Sequence, residues 1–176
     1  VAAAGGHVDV LVNNAGIMDG FLPAAEVDDA TWERVLAVNL TAVMRLTRAV
    51  LPGMIAAGGG TIVNVTSEAG LRGACAGAAY TTSKAALIGF TKNTAFMYAP
   101  DGIRVNAVAP GAVLTNIEAP FKSELAAARL GPLFQAIVPP PAQSEQLAAA
   151  ITWLASDDSA NVNGAILPCD GGWSAI

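Results

Sequence analysis

Four short runs of apolar, largely β-branched residues constrain this chain most: 8–12, 61–66, 103–109 and 165–167. Long helical patterns lie between them, over about 31–51, 79–99 and 144–155. Strands that alternate with helices pack as a parallel sheet with helices laid on it, which predicts an α/β fold. The first run ends at Asn13-Asn14-Ala15-Gly16 and reads as a buried parallel strand running into a turn. With 176 residues and no internal repeat or low-complexity tail, residues 1–176 suit a single domain.

Composition narrows the function classes. Hydrophobic residues make up 53% of the chain and charged ones 13%, with eighteen glycines, so the excess apolar surface needs a core and subunit interfaces. No run approaches the ~18 uncharged apolar residues of a membrane span, and 1–7 lacks the basic flank and apolar core of a signal peptide, so no membrane partner is expected. A net charge of −5 without a Lys/Arg cluster argues against nucleic acid, whose affinity rests on phosphate neutralisation. Cys75 and Cys169 show neither zinc-type spacing nor the density of a disulfide scaffold, which fits a reducing cytoplasm. The acids show no metal-binding pattern, and the single histidine, His7, reads as a surface loop residue.

Asp28 or Asp29 can cap the 31–51 helix, which Pro52-Gly53 is expected to end. Trp32, Val35, Leu36, Val43, Leu46 and Val50 form its apolar stripe, while Val38, Leu40, Met44 and Leu51 lie outside it. A helix apolar on two sides is buried on two sides, one against the sheet and the other against a partner subunit. Asn39 sits in mid-helix, where asparagine is a poor helix former.

The stretch 67–84 carries the chemistry. Tyr80 stands four residues before Lys84, which puts both on one helical face. An ammonium beside a phenol favours the phenolate, so Tyr80 is expected to exchange a proton nearer neutrality than an ordinary tyrosine at about 10. Ser67, at the carboxyl end of a parallel strand, offers a hydroxyl where ligands bind in open α/β sheets. Residues 116–141, with Ile117, Phe121, Leu130 and Phe134, read as a mobile apolar substrate lid.

Asn13-Asn14-Ala15-Gly16, Asn39, Ser67, Tyr80, Lys84 and 110–115 follow the order and spacing of the classical short-chain dehydrogenases/reductases, which nearly the whole chain resembles. The resemblance implies a Rossmann-like doubly wound parallel sheet in a three-layer α/β/α sandwich and a nicotinamide cofactor, NAD or NADP. It implies a small-molecule alcohol or carbonyl substrate and a homo-oligomer, dimer or tetramer, joined helix to helix. Ser67 would hold the substrate oxygen and Tyr80 move the proton. Lys84 would lower the tyrosine's pKa and bind the nicotinamide ribose. Asn39 would mark a helix break and hold a water that links the lysine to solvent. Asn13, Ala15 and Gly16 would flank the adenine-ribose side of the cofactor, and Pro110 and Gly111 would lead into a segment along the nicotinamide. There Val113 would meet the carboxamide through its backbone and Thr115 the phosphates. Small residues Ala74, Cys75, Ala76 and Ala112 suggest room for a bulky apolar carbonyl compound.

The family opens with a strand, a Gly-rich turn and a helix that cradles the pyrophosphate, and Gly5-Gly6 is not such a turn. The chain starts where the family's fourth strand would, roughly 70 residues in at about 30 per βαβ unit, so four strands are expected, the first a bare edge. Three accounts fit: a longer protein, a shortened paralogue, or an opening supplied in trans. The second strand normally selects NAD or NADP, so both stay open. The leading function is thus an oxidoreductase interconverting a secondary alcohol and a ketone. Its rivals are a cofactor-free binding or assembly module and a non-redox enzyme reusing Ser67 and Tyr80.

Overall fold

The computed structural model describes residues 6–117 and 119–175; the amino-terminal residues 1–5, part of the stretch without a signal pattern, lie outside the described residues. In chain order the elements are β1 (Val10–Asn13), α1 (Asp29–Leu36), α2 (Ala42–Ala57), β2 (Gly60–Val65), α3 (Ala78–Tyr98), β3 (Ile103–Pro110), β4 (Val113–Leu114), α4 (Glu124–Ile137), β5 (Ala142–Gln143), α5 (Ser144–Ala155) and β6 (Ile166–Cys169). The main sheet has the order β1-β2-β3-β6, and every pairing is parallel. Val12 stands beside Val63, Val63 beside Asn106, and Val108 beside Leu167.

The pleat sends alternate residues to opposite faces, and each face finds its own helices. Ile62 and Val105 pack with Val50, Leu51, Met54 and Ala95 of α2 and α3. Val63, Val65 and Val108 pack with Leu154, Leu147 and Ile151 of α5. The result is the expected three-layer α/β/α sandwich. Among the described residues β1 forms one edge, with Val10 44% and Val12 40% exposed.

Between α1 and α2 the helix widens into a π turn, Ala37–Thr41, with Asn39 at its centre and fully buried. Asp28 caps the start by accepting from the Thr31 N–H at 2.6 Å. Two expectations fail in this helix. Pro52 does not end it: α2 continues to Ala57 because Leu51 and Met54 on either side of the proline are locked in the core. Gly58, at a φ of 76°, closes it instead. Leu46 is exposed while Leu51 is buried, the reverse of the apolar stripe read from sequence. A π turn holds more residues than an α turn, so it rotates everything beyond it and a single 3.6-residue period misplaces the inner face. The helical stretch 29–57 is long and apolar enough to match a membrane span in length and composition, yet Val35, Val43, Val50 and Met54 are buried inside this fold.

The remaining elements shape one end of the sheet. Two-residue strands β4 and β5, which the sequence pattern did not reveal, pair Val113 with Ala142 and Leu114 with Gln143. They pin together the two ends of the 116–141 segment. Within that segment α4 starts at a Ser123 cap, which accepts from the Ala126 N–H at 3.1 Å, and runs past Pro132 to Ile137.

Candidate active site

A cleft of about 650 Å³ opens at the carboxyl ends of β1, β2 and β3. Asn14, Ala15 and Gly16 follow β1, Thr66 and Ser67 follow β2, and Pro110 ends β3, with Gly111, Val113 and Thr115 after it. Tyr80 and Lys84 enter from the first turns of α3. Parallel strands all point their carboxyl ends one way, which is why residues up to a hundred apart in sequence meet here. Ile17, Met18, Ile117 and Pro120 add apolar wall, and Arg34 and Lys122 add cations.

Asn13 departs from its expected place. Its side chain is buried within the sheet layer, donating to Asn64 Oδ1 at 2.8 Å; Asn64 donates to Thr91 Oγ1 at 2.9 Å, and Thr91 to the Leu87 carbonyl at 2.8 Å. This polar ladder ties β1 to β2 and α3, and the cleft is lined by the neighbouring Asn14 instead. A buried amide must find partners, so the residue whose side chain turns inward becomes structural.

The remaining site residues interlock. Ser67 is extended, and its Oγ accepts from the Ala69 N–H at 3.2 Å, which leaves the hydroxyl proton free to donate into the cleft. Tyr80 and Lys84 are 8% and 3% exposed. Lys84 Nζ donates to the Val65 carbonyl at 2.8 Å and lies 5.5 Å from the Tyr80 ring centre. Asn39 Oδ1 accepts from the Ile17 N–H at 2.9 Å; its amide donates to the Ile17 carbonyl at 3.0 Å and to Ser83 Oγ at 3.1 Å. Ser83 in turn donates to the Tyr80 carbonyl at 2.7 Å. The π turn thus clamps the turn after β1 to the start of α3.

Electrostatics differ from the sequence expectation. Burial pushes the Tyr80 phenol above its usual value, and the Ser67 hydroxyl beside it acts in the opposite direction. The Lys84 ammonium does not bring the phenol down as foreseen, because the same burial acts on it and lowers it to about 8.

Sequence reasoning missed Asp19. Its carboxylate is buried, accepting from the Tyr80 N–H at 2.9 Å and from the Phe21 N–H at 3.0 Å. It therefore caps the amino end of α3 from a loop 61 residues away and holds Phe21 at its positive φ of 58°. A Cβ on Gly77 would sit 2.5 Å from this carboxylate, so only glycine admits the contact. Cys75 and Ala76 pack with Phe21 and Tyr80, and Ala76 also lines a second hollow of about 530 Å³ with Phe21, Gly77 and Leu130.

The cleft fits the nicotinamide-ribose part of a dinucleotide. Val65 takes one of the three donors on Lys84, and the others are free for ribose hydroxyls. Gly16 brings its backbone close, since a Cβ there would lie 3.3 Å from Lys84 Nζ. The residues expected to meet the cofactor, Asn13 excepted, all line this one cleft.

A family model described as short chain dehydrogenase matches residues 1–126. The chain is 46% identical over 175 residues to 3beta-hydroxysteroid dehydrogenase 2 of Eggerthella lenta, covering 97% of this chain and 66% of that protein. Among solved structures, levodione reductase superposes with a TM-score of 0.87 at 32% identity, over 99% of this chain and 69% of its own. A Beutenbergia cavernae chain with NADP bound at low occupancy gives 0.83 at 39% identity, over 96% and 67%. This chain thus spans about two thirds of the length of the proteins it matches. Fold, order of motifs and sequence identity agree, and the chain belongs to the short-chain dehydrogenase family of oxidoreductases.

Proposed function

We propose that Ser67, Tyr80 and Lys84 are the catalytic centre of a nicotinamide-dependent oxidoreductase that interconverts a secondary alcohol and a ketone. The observation that carries this reading is the convergence of the three side chains in one cleft at the carboxyl ends of β2 and β3. A bound NAD or NADP supplies or accepts the hydride. The protein's part is to bind, orient and move a proton. The Ser67 hydroxyl donates to the substrate oxygen and fixes it beside the Tyr80 phenol, which gives its proton in ketone reduction and regains it in alcohol oxidation. Lys84 holds the nicotinamide ribose and connects the phenol to the polar groups around Asn39, which serves the proton relay. Residues 14–16 and 110–115 would flank the cofactor.

A bulky apolar alcohol is the proposed substrate, supported by the Ile17, Met18, Ile117 and Pro120 lining and by the hydroxysteroid in the name of the Eggerthella lenta relative. The outer groove between α2 and α3, lined by Met44, Leu51, Ile55, Phe90 and Tyr98, is assigned to a second copy of the chain. The test is reduction of NAD+ or NADP+, followed by absorbance, with a 3β-hydroxysteroid and simpler secondary alcohols. Alcohol-dependent formation of reduced nicotinamide supports the reading. Isotope exchange or elimination without nicotinamide would favour non-redox chemistry.

A further inference from the structure

We infer that Phe21 is a positioning residue, through which the segment 119–137 holds the amino end of α3, and with it Tyr80, in place. Phe21 is buried and sits at a φ of 58°, directly after Gly20 at 71°. A bulky side chain is strained in this left-handed region, and such strain persists only where the surroundings over-determine it. The contacts of residues 19–22 do so from two sides.

Residues 19 and 22 hold α3. The Asp19 carboxylate accepts from the Tyr80 N–H at 2.9 Å, and the Leu22 carbonyl accepts from the Ala78 N–H at 2.9 Å. Residues 20 and 21 hold the segment 119–137 instead. The Gly20 carbonyl accepts from the Lys122 N–H at 3.0 Å. A Cβ on Gly20 would lie 2.7 Å from Lys122 Cδ, so the two stretches of chain lie directly against each other. The Phe21 ring centre is 4.3 Å from that of Phe121, tilted by 30°, and 6.0 Å from that of Phe134 in α4. Phe121 and Phe134 are 6.0 Å apart, and Phe134 meets the buried Trp173 edge-on at 5.9 Å. Four rings thus run from the turn after β1 to the chain that follows β6. Aromatic pairs at these separations attract beyond the area they bury.

Two consecutive residues at positive φ turn the chain so sharply that neighbours serve opposite partners. Asp19 spans the turn: Oδ1 accepts from the Phe21 N–H at 3.0 Å while Oδ2 takes the Tyr80 N–H. One carboxylate therefore binds the backbone of the stacked phenylalanine and the backbone of the tyrosine together. Lifting Phe121 and Phe134 off Phe21 removes what offsets the strain, and the turn is free to relax toward negative φ. That moves the Phe21 N–H and draws Asp19 off Tyr80. The Phe21 side chain also packs with Tyr80 and Ala126 in one apolar cluster, so side-chain packing acts in the same direction as the backbone bonds. The consequence for turnover rests on the function proposed above: closing the segment over a substrate sets Tyr80 in the same step.

Amide hydrogen exchange of the full chain, read by NMR, tests the coupling with a substitution placed on the side away from α3. Phe121 is 38% exposed, so Phe121→Leu removes the ring and leaves the core intact. Exchange at the Phe21 and Tyr80 amides is expected to quicken roughly 2–10-fold, with Val105 in β3 unchanged. Phe121→Tyr, which keeps a ring, should exchange like the wild type. A Tyr80 amide that Phe121→Leu does not move, a quickening that reaches Val105 equally, or a Phe121→Tyr that behaves like Phe121→Leu overturns the proposal. The exchange needs neither substrate nor nicotinamide, so it stands or fails apart from the proposed function. With turnover, Phe121→Leu is expected to lower kcat by a similar factor and leave nicotinamide binding unchanged; a wild-type kcat beside quickened amides would overturn the step from coupling to catalysis.

Discussion

The Lys84 ammonium is anchored to the Val65 carbonyl at 2.8 Å, in a site where 3% of the residue is exposed. One hydrogen bond does not replace the hydration of an ammonium, and burial lowers its pKa from 10.5 to about 8. The sign follows from linkage. Between pH 8 and 10.5 the unfolded chain binds the proton that the folded chain has released, so this group's destabilisation is full below about 8 and fades as pH rises. The melting temperature of the wild type, taken relative to Lys84→Met, is expected to rise between pH 8 and 10. A flat difference would mean that Lys84 is better solvated than the fold indicates.

Asp19 joins the loop after β1 to the start of α3. Asp19→Ala leaves the Tyr80 and Phe21 N–H groups without a partner, and a loss of about 1–3 kcal/mol in urea unfolding is expected. Gly77→Ala attacks the same contact from the other side, driving a methyl against the Asp19 carboxylate and the Leu22 nitrogen, each 2.5 Å away. It should cost a comparable ~1–3 kcal/mol. Because both variants act on one contact, the double variant should fall short of the sum of the single effects.

Asn39→Leu removes the side chain that satisfies both backbone groups of Ile17 and reaches Ser83. Losing these buried partners should cost roughly 2–4 kcal/mol, and amide exchange at Ile17 should quicken more than exchange in β3. Unchanged exchange at Ile17 would show that the π turn does not clamp the cleft.

Much of the architecture was legible because it rests on residue type and period. The β-branched runs match the four strands of the main sheet to within a few residues, and Tyr80, Lys84 and Ser67, marked by spacing and strand-end position, line one cleft with Gly16, marked by the family resemblance. What escaped depends on contacts that no local pattern encodes. Asp19 reaches α3 across 61 residues from a loop without periodicity. The π turn shifts the helical phase, so the reading of Leu46 and Leu51 failed beyond it. Pro52 is a helix breaker in isolation, but core packing on both sides overrides its local cost. Asn13 and Asn14 are adjacent and chemically identical, and only the pleat decides which one faces the cleft.

Tyr80 is the residue on which the proposed chemistry turns, and its hydroxyl alone carries the proton. The most direct test compares wild type with Tyr80→Phe in the protein as expressed from its gene, measuring nicotinamide binding by fluorescence and secondary-alcohol turnover on the same samples. The account predicts unchanged melting and nicotinamide binding, with turnover lower by at least about 10²-fold. Turnover in Tyr80→Phe equal to that of the wild type would contradict it.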